Sequence, residues 1–121
     1  MFKCNNDNCN CTIFHADKLE KVQKNLISDD KIEDIVNIMM LLNTANKIKI
    51  LEAIKEEELC VCDIGHLVGI SKSAISHQMR QFKEYDLLEE RREGKMVYYK
   101  LKNNHISKII EKVGMFYEKN S

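Results

Sequence analysis

Residues 59–85 constrain the fold more than any other part of the chain, because a glycine divides two helical patterns within them. The first pattern, from about Leu59 to Val68, ends at Gly69, which can adopt the left-handed conformation that closes a helix. Ser71 can then cap a second helix, from Lys72 to about Tyr85. The inward positions of this second helix are Ile75, Met79 and Phe82. A helix, a glycine turn and a helix with a polar outer face predict a helix-turn-helix.

A β-hairpin is predicted directly after these helices. Two segments suited to strands, Leu87–Arg92 and Met96–Leu101, flank the glycine-containing connection Glu93-Gly94-Lys95. An isolated hairpin is marginally stable in water, so this one should pack on the helices. The side chains expected to make that contact are Leu88, Val97 and Leu101. The hairpin would form the two-stranded wing of a winged helix-turn-helix.

Further helices are predicted on both sides of this region. Two should lie between Asp17 and Leu42, divided at Ser28-Asp29-Asp30, and a third should run from about Thr44 to Lys55. A last helix, from about Asn104 to Glu118, has a stripe of apolar residues formed by Ile106, Ile109, Ile110, Val113 and Phe116. A chain of 121 residues has no element left to cover this stripe, which suggests a dimer interface. The predicted fold is therefore mainly α with a two-stranded β-hairpin wing, and dimeric.

The chain has five cysteines, namely Cys4, Cys9, Cys11, Cys60 and Cys62. No secretory signal opens the sequence, and no apolar run approaches the roughly 20 residues that span a bilayer. We therefore expect a cytoplasmic protein without a membrane partner. A reducing compartment disfavours structural disulfides, and an odd number of cysteines would leave one thiol over. Metal binding or redox chemistry is the favoured interpretation of the thiols.

Cys60 and Cys62 lie two residues apart at the start of the predicted helix-turn-helix. A soft divalent ion takes about four ligands in a tetrahedral array, and this pair supplies two. On an ideal helix the two side chains would point about 200° apart, whereas the first turn of a helix is a looser setting. Residues 1–15, rich in Asn and Cys with little helical period, are predicted to form an irregular arm that supplies further thiols. A shared ion would tie this arm to the helix-turn-helix.

Charge supports DNA binding only locally, because the formal net charge of the chain is zero. Residues 71–100 hold seven basic and five acidic side chains, whereas residues 52–63 hold one lysine and five acids. The candidate DNA-contacting residues on the second helix and the wing are Lys72, Ser73, Ser76, His77, Gln78, Arg80, Arg91, Arg92 and Lys95. Gln78 could recognise adenine, and Arg80 could recognise guanine or hold a phosphate. The wing residues would contact the backbone or the minor groove.

Three segments together resemble the ArsR/SmtB family of dimeric winged-helix repressors. Ile70–Arg80 is similar to the family's recognition helix, Arg91–Tyr99 to its wing, and Glu58-Leu59-Cys60-Val61-Cys62-Asp63 to its metal-binding box. The likeness covers about Ile32 to Tyr117, and the cysteine-bearing arm makes the chain most similar to the CadC type, which responds to cadmium, lead and zinc. The resemblance implies that the metal-free homodimer binds an operator inverted repeat and that cadmium, lead or zinc releases it.

The resemblance also implies that an arm cysteine of the partner subunit completes the thiolate site. Cys11 is the best match, because Cys11-Thr12-Ile13-Phe14-His15 resembles a Cys-x-x-x-Cys arm whose second position is here His15. The fourth ligand stays open among Cys9, His15 and the more distant Cys4, with Cys9 favoured. In domain terms, residues 1–15 are the arm and residues 16–121 the DNA-binding and dimerisation domain.

Two other functions fit the same residues. Cys60 and Cys62 could oxidise in a thiol redox sensor, or the chain could buffer metal without specific DNA binding. An enzyme acting on a small-molecule substrate is not expected, because the sequence lacks a glycine-rich phosphate loop, a nucleophile elbow and paired carboxylates.

Overall fold

A computed structural model describes the backbone of residues 15–120 and the side chains of residues 15–118. This part of the chain contains helices α1 (Ala16–Asn25), α2 (Asp29–Met40), α3 (Ala45–Ala53), α4 (Val61–Val68), α5 (Lys72–Glu84) and α6 (His105–Asn120). It also contains strands β1 (Leu59–Cys60), β2 (Leu88–Glu93) and β3 (Met96–Leu101). Within it, no helix combines the length and apolar character needed to cross a membrane. The predicted ligands Cys9 and Cys11, and the alternative Cys4, lie outside the described residues.

The chain divides between Asn37 and Ile38 into two compact units. The described part of the first unit consists of α1 and most of α2, which confirms the two helices predicted there. Ser28 caps α2, because its Oγ accepts a hydrogen bond of 3.3 Å from the Lys31 N–H.

The second unit contains the hydrophobic core, formed where α3, α4 and α5 meet. The fully buried side chains are Ile50, Leu51, Ile54, Ile64, Ile75, Met79 and Phe82. Leu41 belongs to the same core, as do Tyr99 and Leu101 of β3 and Ile106 of α6. The inward face predicted for α5 is confirmed, so the core fixes the rotation of this helix about its axis.

The helix-turn-helix consists of α4, a glycine turn and α5, as predicted. Gly69 ends α4 with φ +81°, and its N–H donates to the Gly65 carbonyl at 2.8 Å. Ser71 then caps α5, because its Oγ accepts a hydrogen bond of 3.1 Å from the Ala74 N–H. Gly65 allows the turn to fold back tightly, since a Cβ at this position would lie 3.1 Å from the carbonyl oxygen of Ile70. The turn therefore fixes how α5 is presented to solvent.

The predicted hairpin is confirmed, and its strands pair from Leu88 with Leu101 to Glu93 with Met96. Gly94 turns the chain with φ +59°. The side chains predicted to pack on the helices do so, with Leu101 buried and Leu88 and Val97 partly buried against the core.

A third strand joins the hairpin, which the sequence analysis missed. β1 pairs with β3, giving the order β1-β3-β2, with Leu59 opposite Tyr99 and Cys60 opposite Tyr98. The prediction that α4 begins at about Leu59 was therefore wrong by two residues. The local sequence pattern does not reveal β1, because this strand forms only by pairing with β3, much further along the chain.

Candidate thiolate metal site and nucleic-acid interface

Cys60 occupies the junction between the sheet and the helix-turn-helix. It is the last residue of β1 and the N-cap of α4, with the extended conformation φ −86°, ψ 167°. Its side chain is only 4% exposed, and the thiol donates a hydrogen bond of 3.1 Å to Oδ2 of Asp63. A ligand at this sulfur would contact a group fixed by both β1 and the first turn of α4.

Cys62 lies within the first turn of α4 and is exposed. The two thiols therefore leave different kinds of backbone, one extended and one helical, so the 200° separation expected inside a single helix does not apply to them. A buried sulfur and an exposed sulfur at one junction fit a shared ion that approaches from the solvent side. Sulfur donors suit soft ions such as cadmium, lead and zinc.

Further ligands would have to come from beyond this junction. Across residues 15–118, no group of three or more His, Cys, Asp and Glu side chains could hold a metal ion. His66 is exposed on α4, four residues after Cys62, and His15 is the exposed residue before α1. Within the described residues, Cys60 and Cys62 thus lie at the end of β1 and in the first turn of α4, while the predicted arm ligands lie outside the described residues.

An ion-pair network links the residue before β1 to the wing. Glu58 accepts three hydrogen bonds from Arg91, two from Nε, at 3.0 Å to Oε1 and 3.1 Å to Oε2, and one from Nη2 to Oε1 at 2.7 Å. Arg91 also donates from Nη1 to Oε2 of Glu93 at 2.8 Å. Its guanidinium carbon lies 4.6 Å from the centre of the Tyr98 ring.

These contacts change the protonation equilibria of both partners. Hydrogen bonding from Arg91 lowers the pKa of Glu58 below its ordinary value, and hydrogen bonding to Glu58 and Glu93 raises the pKa of Arg91. Sequence reasoning missed the network, because it assigned Arg91 to DNA and gave Glu58 no role. Only the run of acids before Cys60 hinted that a cation would lie there.

The outer face of α5 presents the residues predicted to contact DNA. Lys72, Ser73, His77 and Arg80 are exposed, whereas Ser76 and Gln78 are partly buried. Gln78 donates from Nε2 to Oε1 of Gln81 at 3.0 Å. Among the described residues, neither Lys72 nor Arg80 forms an ion pair. Their positive charges are therefore available to an anionic partner.

The wing presents its basic residues differently. Arg91 is paired as described above, and Arg92 lies with Nη2 3.5 Å from Oε1 of Glu90. Lys95 is exposed in the turn beside Gly94. In the wing, both arginines are thus close to carboxylates of the same sheet.

The last helix keeps an apolar surface within the second unit. Val113, Phe116 and Tyr117 are exposed, by 50%, 61% and 72% respectively. Beside them is an apolar cavity of about 320 Å³. It is lined by Met39, Leu42, Ile48, Ile110, Val113 and Gly114. This surface is where the sequence predicts a dimer interface.

Comparison with known proteins gives concordant matches. The sequence profile described as "Bacterial regulatory protein, arsR family" matches residues 44–90. The cadmium resistance transcriptional regulatory protein CadC homolog of Staphylococcus aureus is 33% identical over 107 residues, covering 88% of this chain and 88% of that protein. The transcriptional repressor SmtB homolog of Synechocystis sp. is 30% identical over 105 residues, covering 87% of this chain and 80% of that protein.

A solved structure with the same fold is the homodimeric winged helix-turn-helix DNA-binding domain of Mb0332 from Mycobacterium bovis, a possible ArsR-family transcriptional regulator. It superimposes with a TM-score of 0.66 at 22% identity, covering 78% of this chain and 90% of that one. The likeness confirms the winged helix-turn-helix predicted from the sequence.

Proposed function

The chain belongs to the ArsR/SmtB family of metal-responsive transcriptional repressors, and from this premise we propose which metals, residues and motions it uses. The metal-free homodimer binds an operator inverted repeat in double-stranded DNA. Cadmium, lead or zinc, bound at a cysteine thiolate site, lowers that affinity and releases the operator. The family membership confirms the prediction of a DNA-binding regulator rather than an enzyme. The proposal places the protein in the cytoplasm.

One observation supports the proposal: Cys60 ends β1 and Cys62 lies in the first turn of α4, the helix that precedes the recognition helix α5. Sulfur donors supply the chemistry that soft divalent ions prefer. Each sulfur is attached to an element of the DNA-binding scaffold itself. A change at Cys60 or Cys62 therefore acts within one helix of the recognition surface.

The proposed ligand set is Cys60 and Cys62 of one subunit with Cys11 and Cys9 of the arm. His15 is the alternative to Cys9, and Cys4 is a more distant one. The arm, residues 1–15, would act as a segment separate in role from the domain of residues 16–121. The likeness to the CadC homolog of Staphylococcus aureus, a cadmium resistance regulator by name, supports this assignment.

The proposed DNA contacts combine recognition by α5 with backbone contacts from the wing. In α5 they are Lys72, Ser73, Ser76, His77, Gln78 and Arg80, and in the wing they are Arg92 and Lys95. Arg91, which the sequence also predicts to contact DNA, is held by Glu58 and Glu93. The exposed basic side chains of α5 support this role. Dimerisation is supported by the exposed apolar residues of α6 and by the homodimeric state of the Mb0332 domain.

The energy needed for release is small compared with the energy of thiolate binding. A hundredfold loss of operator affinity corresponds to a coupling free energy of about 2.7 kcal/mol, whereas thiolate zinc sites release on the order of 10 to 16 kcal/mol. Closure of the arm onto Cys60 and Cys62 would shift α4 and change the spacing of the two α5 helices in the dimer. An inverted repeat has a fixed spacing, so such a change weakens binding to both half-sites.

The proposal is tested by fluorescence anisotropy of an operator-like inverted repeat from the protein's own upstream region, with reduced metal-free protein at fixed salt. Cadmium, lead or zinc should release the wild-type protein. Cys60→Ser should bind the operator equally well and lose the response. His77→Gln is the matched control, because it alters the recognition face and keeps every thiol. It should weaken operator binding and retain the release by metal.

The same titration separates the alternatives. Tight operator binding that ignores all three ions and responds to peroxide would support a thiol redox sensor instead. Metal binding without specific operator binding would support metal buffering. For the fourth ligand, Cys9→Ser should weaken cadmium binding more than His15→Gln does, and the reverse order would assign His15.

A further inference from the structure

We propose that the pair formed by Glu58 and Arg91 couples the thiolate junction, which is the passage from β1 to α4 that contains Cys60 and Cys62, to the wing. Arg91 would then act as a positioning residue instead of a DNA contact. The proposal rests on the proposed function, because it concerns how metal binding at Cys60 and Cys62 would reach the DNA-binding surface. One ion pair would transmit a movement of β1 to β2.

The sheet places the three residues concerned in one row. Cys60 of β1 and Arg91 of β2 are both paired with Tyr98 of β3, one on each side. Residues paired in this way across antiparallel strands point to the same face of the sheet. The Arg91 side chain lies over the Tyr98 ring and reaches Glu58, beyond the central strand. The contact therefore joins β2 directly to the residue that precedes β1.

The Glu58–Arg91 pair, called the joint below, has a defined geometry even though it is exposed. Arg91 grips both oxygens of Glu58 through Nε and Nη2, while Nη1 is held by Glu93. A planar guanidinium held at three nitrogens and stacked on a ring has little rotational freedom. The side chains of Arg91 and Glu58 are 49% and 36% exposed, so the pair adds little to global stability. The pair instead fixes the position of Arg91 relative to Glu58.

Because β1 is short, the fixed geometry of the Glu58–Arg91 pair affects how the wing moves. β1 contains two residues, Leu59 and Cys60, and Glu58 directly precedes it. A strand this short is weakly fixed by its own ladder, so the side-chain joint at Glu58 determines whether the wing follows a movement of Cys60. With the pair intact, displacement of the thiolate junction moves β2 and the wing. Without it, the junction can move alone.

The geometry also separates Arg91 from its neighbours in the wing. The Nε, Nη1 and Nη2 groups of Arg91 all donate to carboxylates of the same subunit. Binding a phosphate would require these bonds to be exchanged. Arg92 has one carboxylate at 3.5 Å and is 76% exposed, which leaves it much freer to contact DNA.

The test measures the coupling factor, the ratio of operator dissociation constants with and without saturating cadmium, by anisotropy at fixed salt. Glu58→Gln keeps the shape of the side chain and removes the ion pair. It should lower the coupling factor at least about fivefold while the metal-free operator affinity changes less than about twofold. The matched control is Asp86→Asn, which removes the exposed pair with Lys102 at the base of the hairpin and leaves β1 untouched; its coupling factor should equal that of the wild type.

The double variant E58R/R91E reverses the pair and should have a larger coupling factor than E58R alone or R91E alone. Equal coupling in wild type and Glu58→Gln would overturn the proposal. So would a loss of metal-free operator affinity in Arg91→Gln with a lower salt dependence, because that result identifies a phosphate contact. Failure of the proposed function is distinguishable, since wild-type protein would then show no cadmium-induced release.

A measurement without metal or DNA tests the joint itself. Hydrogen exchange of the backbone amides in the metal-free protein should be faster in Glu58→Gln at Leu59 and Cys60 and unchanged in α5. Exchange in β1 identical to that of the wild type would overturn the proposal whatever the outcome of the binding experiments.

Discussion

The recognition helix α5 and the hairpin β2–β3 both carry basic residues towards solvent, yet they hold them in opposite ways. α5 has Lys72, Arg80 and Lys83 against a single acid, Glu84. Among the described residues, Lys83 pairs with Glu90 of β2, whereas Lys72 and Arg80 form no ion pair. The segment 88–96 has three basic and three acidic residues, and both of its arginines lie beside carboxylates. The helix presents available charge, whereas the hairpin neutralises most of its own.

The two regions also differ in how they are attached to the core. Three fully buried side chains fix α5, whereas the hairpin contributes two less completely buried side chains, Tyr99 and Leu101, and the Leu101 N–H donates to the Ile54 carbonyl at 3.2 Å. The tip, from Arg91 to Met96, is exposed. From this difference we predict that α5 is the more rigid of the two regions and that the hairpin, connected to Cys60 through β1, is the more adjustable one.

The largest expected effect contrasts the two attachments. Phe82→Ala should lower the free energy of unfolding by about 3–5 kcal/mol, because a fully buried ring leaves a cavity that its neighbours fill only in part. Val97→Ala, at a partly buried position of the hairpin, should cost about 1 kcal/mol. Urea denaturation followed by circular dichroism measures both. Equal costs would show that the hairpin is anchored as firmly as the helix.

The second effect contrasts the two sets of charges. Arg80→Ala should weaken operator binding by about 1–3 kcal/mol, as expected for an arginine that contacts a base or phosphate. Arg91→Ala should weaken metal-free operator binding less than about threefold, because its donors are already engaged within the protein. Anisotropy titrations at one salt concentration give the comparison. A larger loss for Arg91→Ala than for Arg80→Ala would reverse the roles assigned to helix and wing.

The third effect concerns the entry to α5. Ser71→Ala should lower the free energy of unfolding by about 1 kcal/mol, because the Ala74 N–H loses its acceptor. Ser71→Asp, which restores a capping oxygen, should recover most of this loss. Thermal unfolding of the three proteins provides the measurement. No difference between Ser and Ala would mean that the cap does not stabilise the recognition helix.

The smallest effect tests the tip of the wing. Lys95→Ala should weaken binding uniformly across DNA sequences and reduce the salt dependence of the operator affinity by about one counterion. The check is a plot of the logarithm of the affinity against the logarithm of the salt concentration, for operator and unrelated DNA. A loss confined to the operator would instead give Lys95 a role in sequence recognition.

The features that were predictable from the sequence are those encoded locally. Gly69, the Ser71 cap and the inward residues of α5 follow from spacing within one helix or one turn, and all three are confirmed. β1 was missed because Leu59 and Cys60 become a strand only through pairing with Tyr99 and Tyr98. The contact of Glu58 with Arg91 depends on the same long-range pairing. The arm ligands Cys9 and Cys11 lie outside the described residues and stay predictions.

The most direct test of metal-controlled DNA release is thermodynamic linkage, which requires operator DNA to weaken metal binding by the factor by which metal weakens operator binding. The cadmium dissociation constant would be measured by chelator competition for the free reduced protein and for the protein saturated with operator. We predict that cadmium binds more weakly in the complex, by about a hundredfold if release corresponds to about 2.7 kcal/mol. Equal cadmium affinity with and without operator DNA would contradict it.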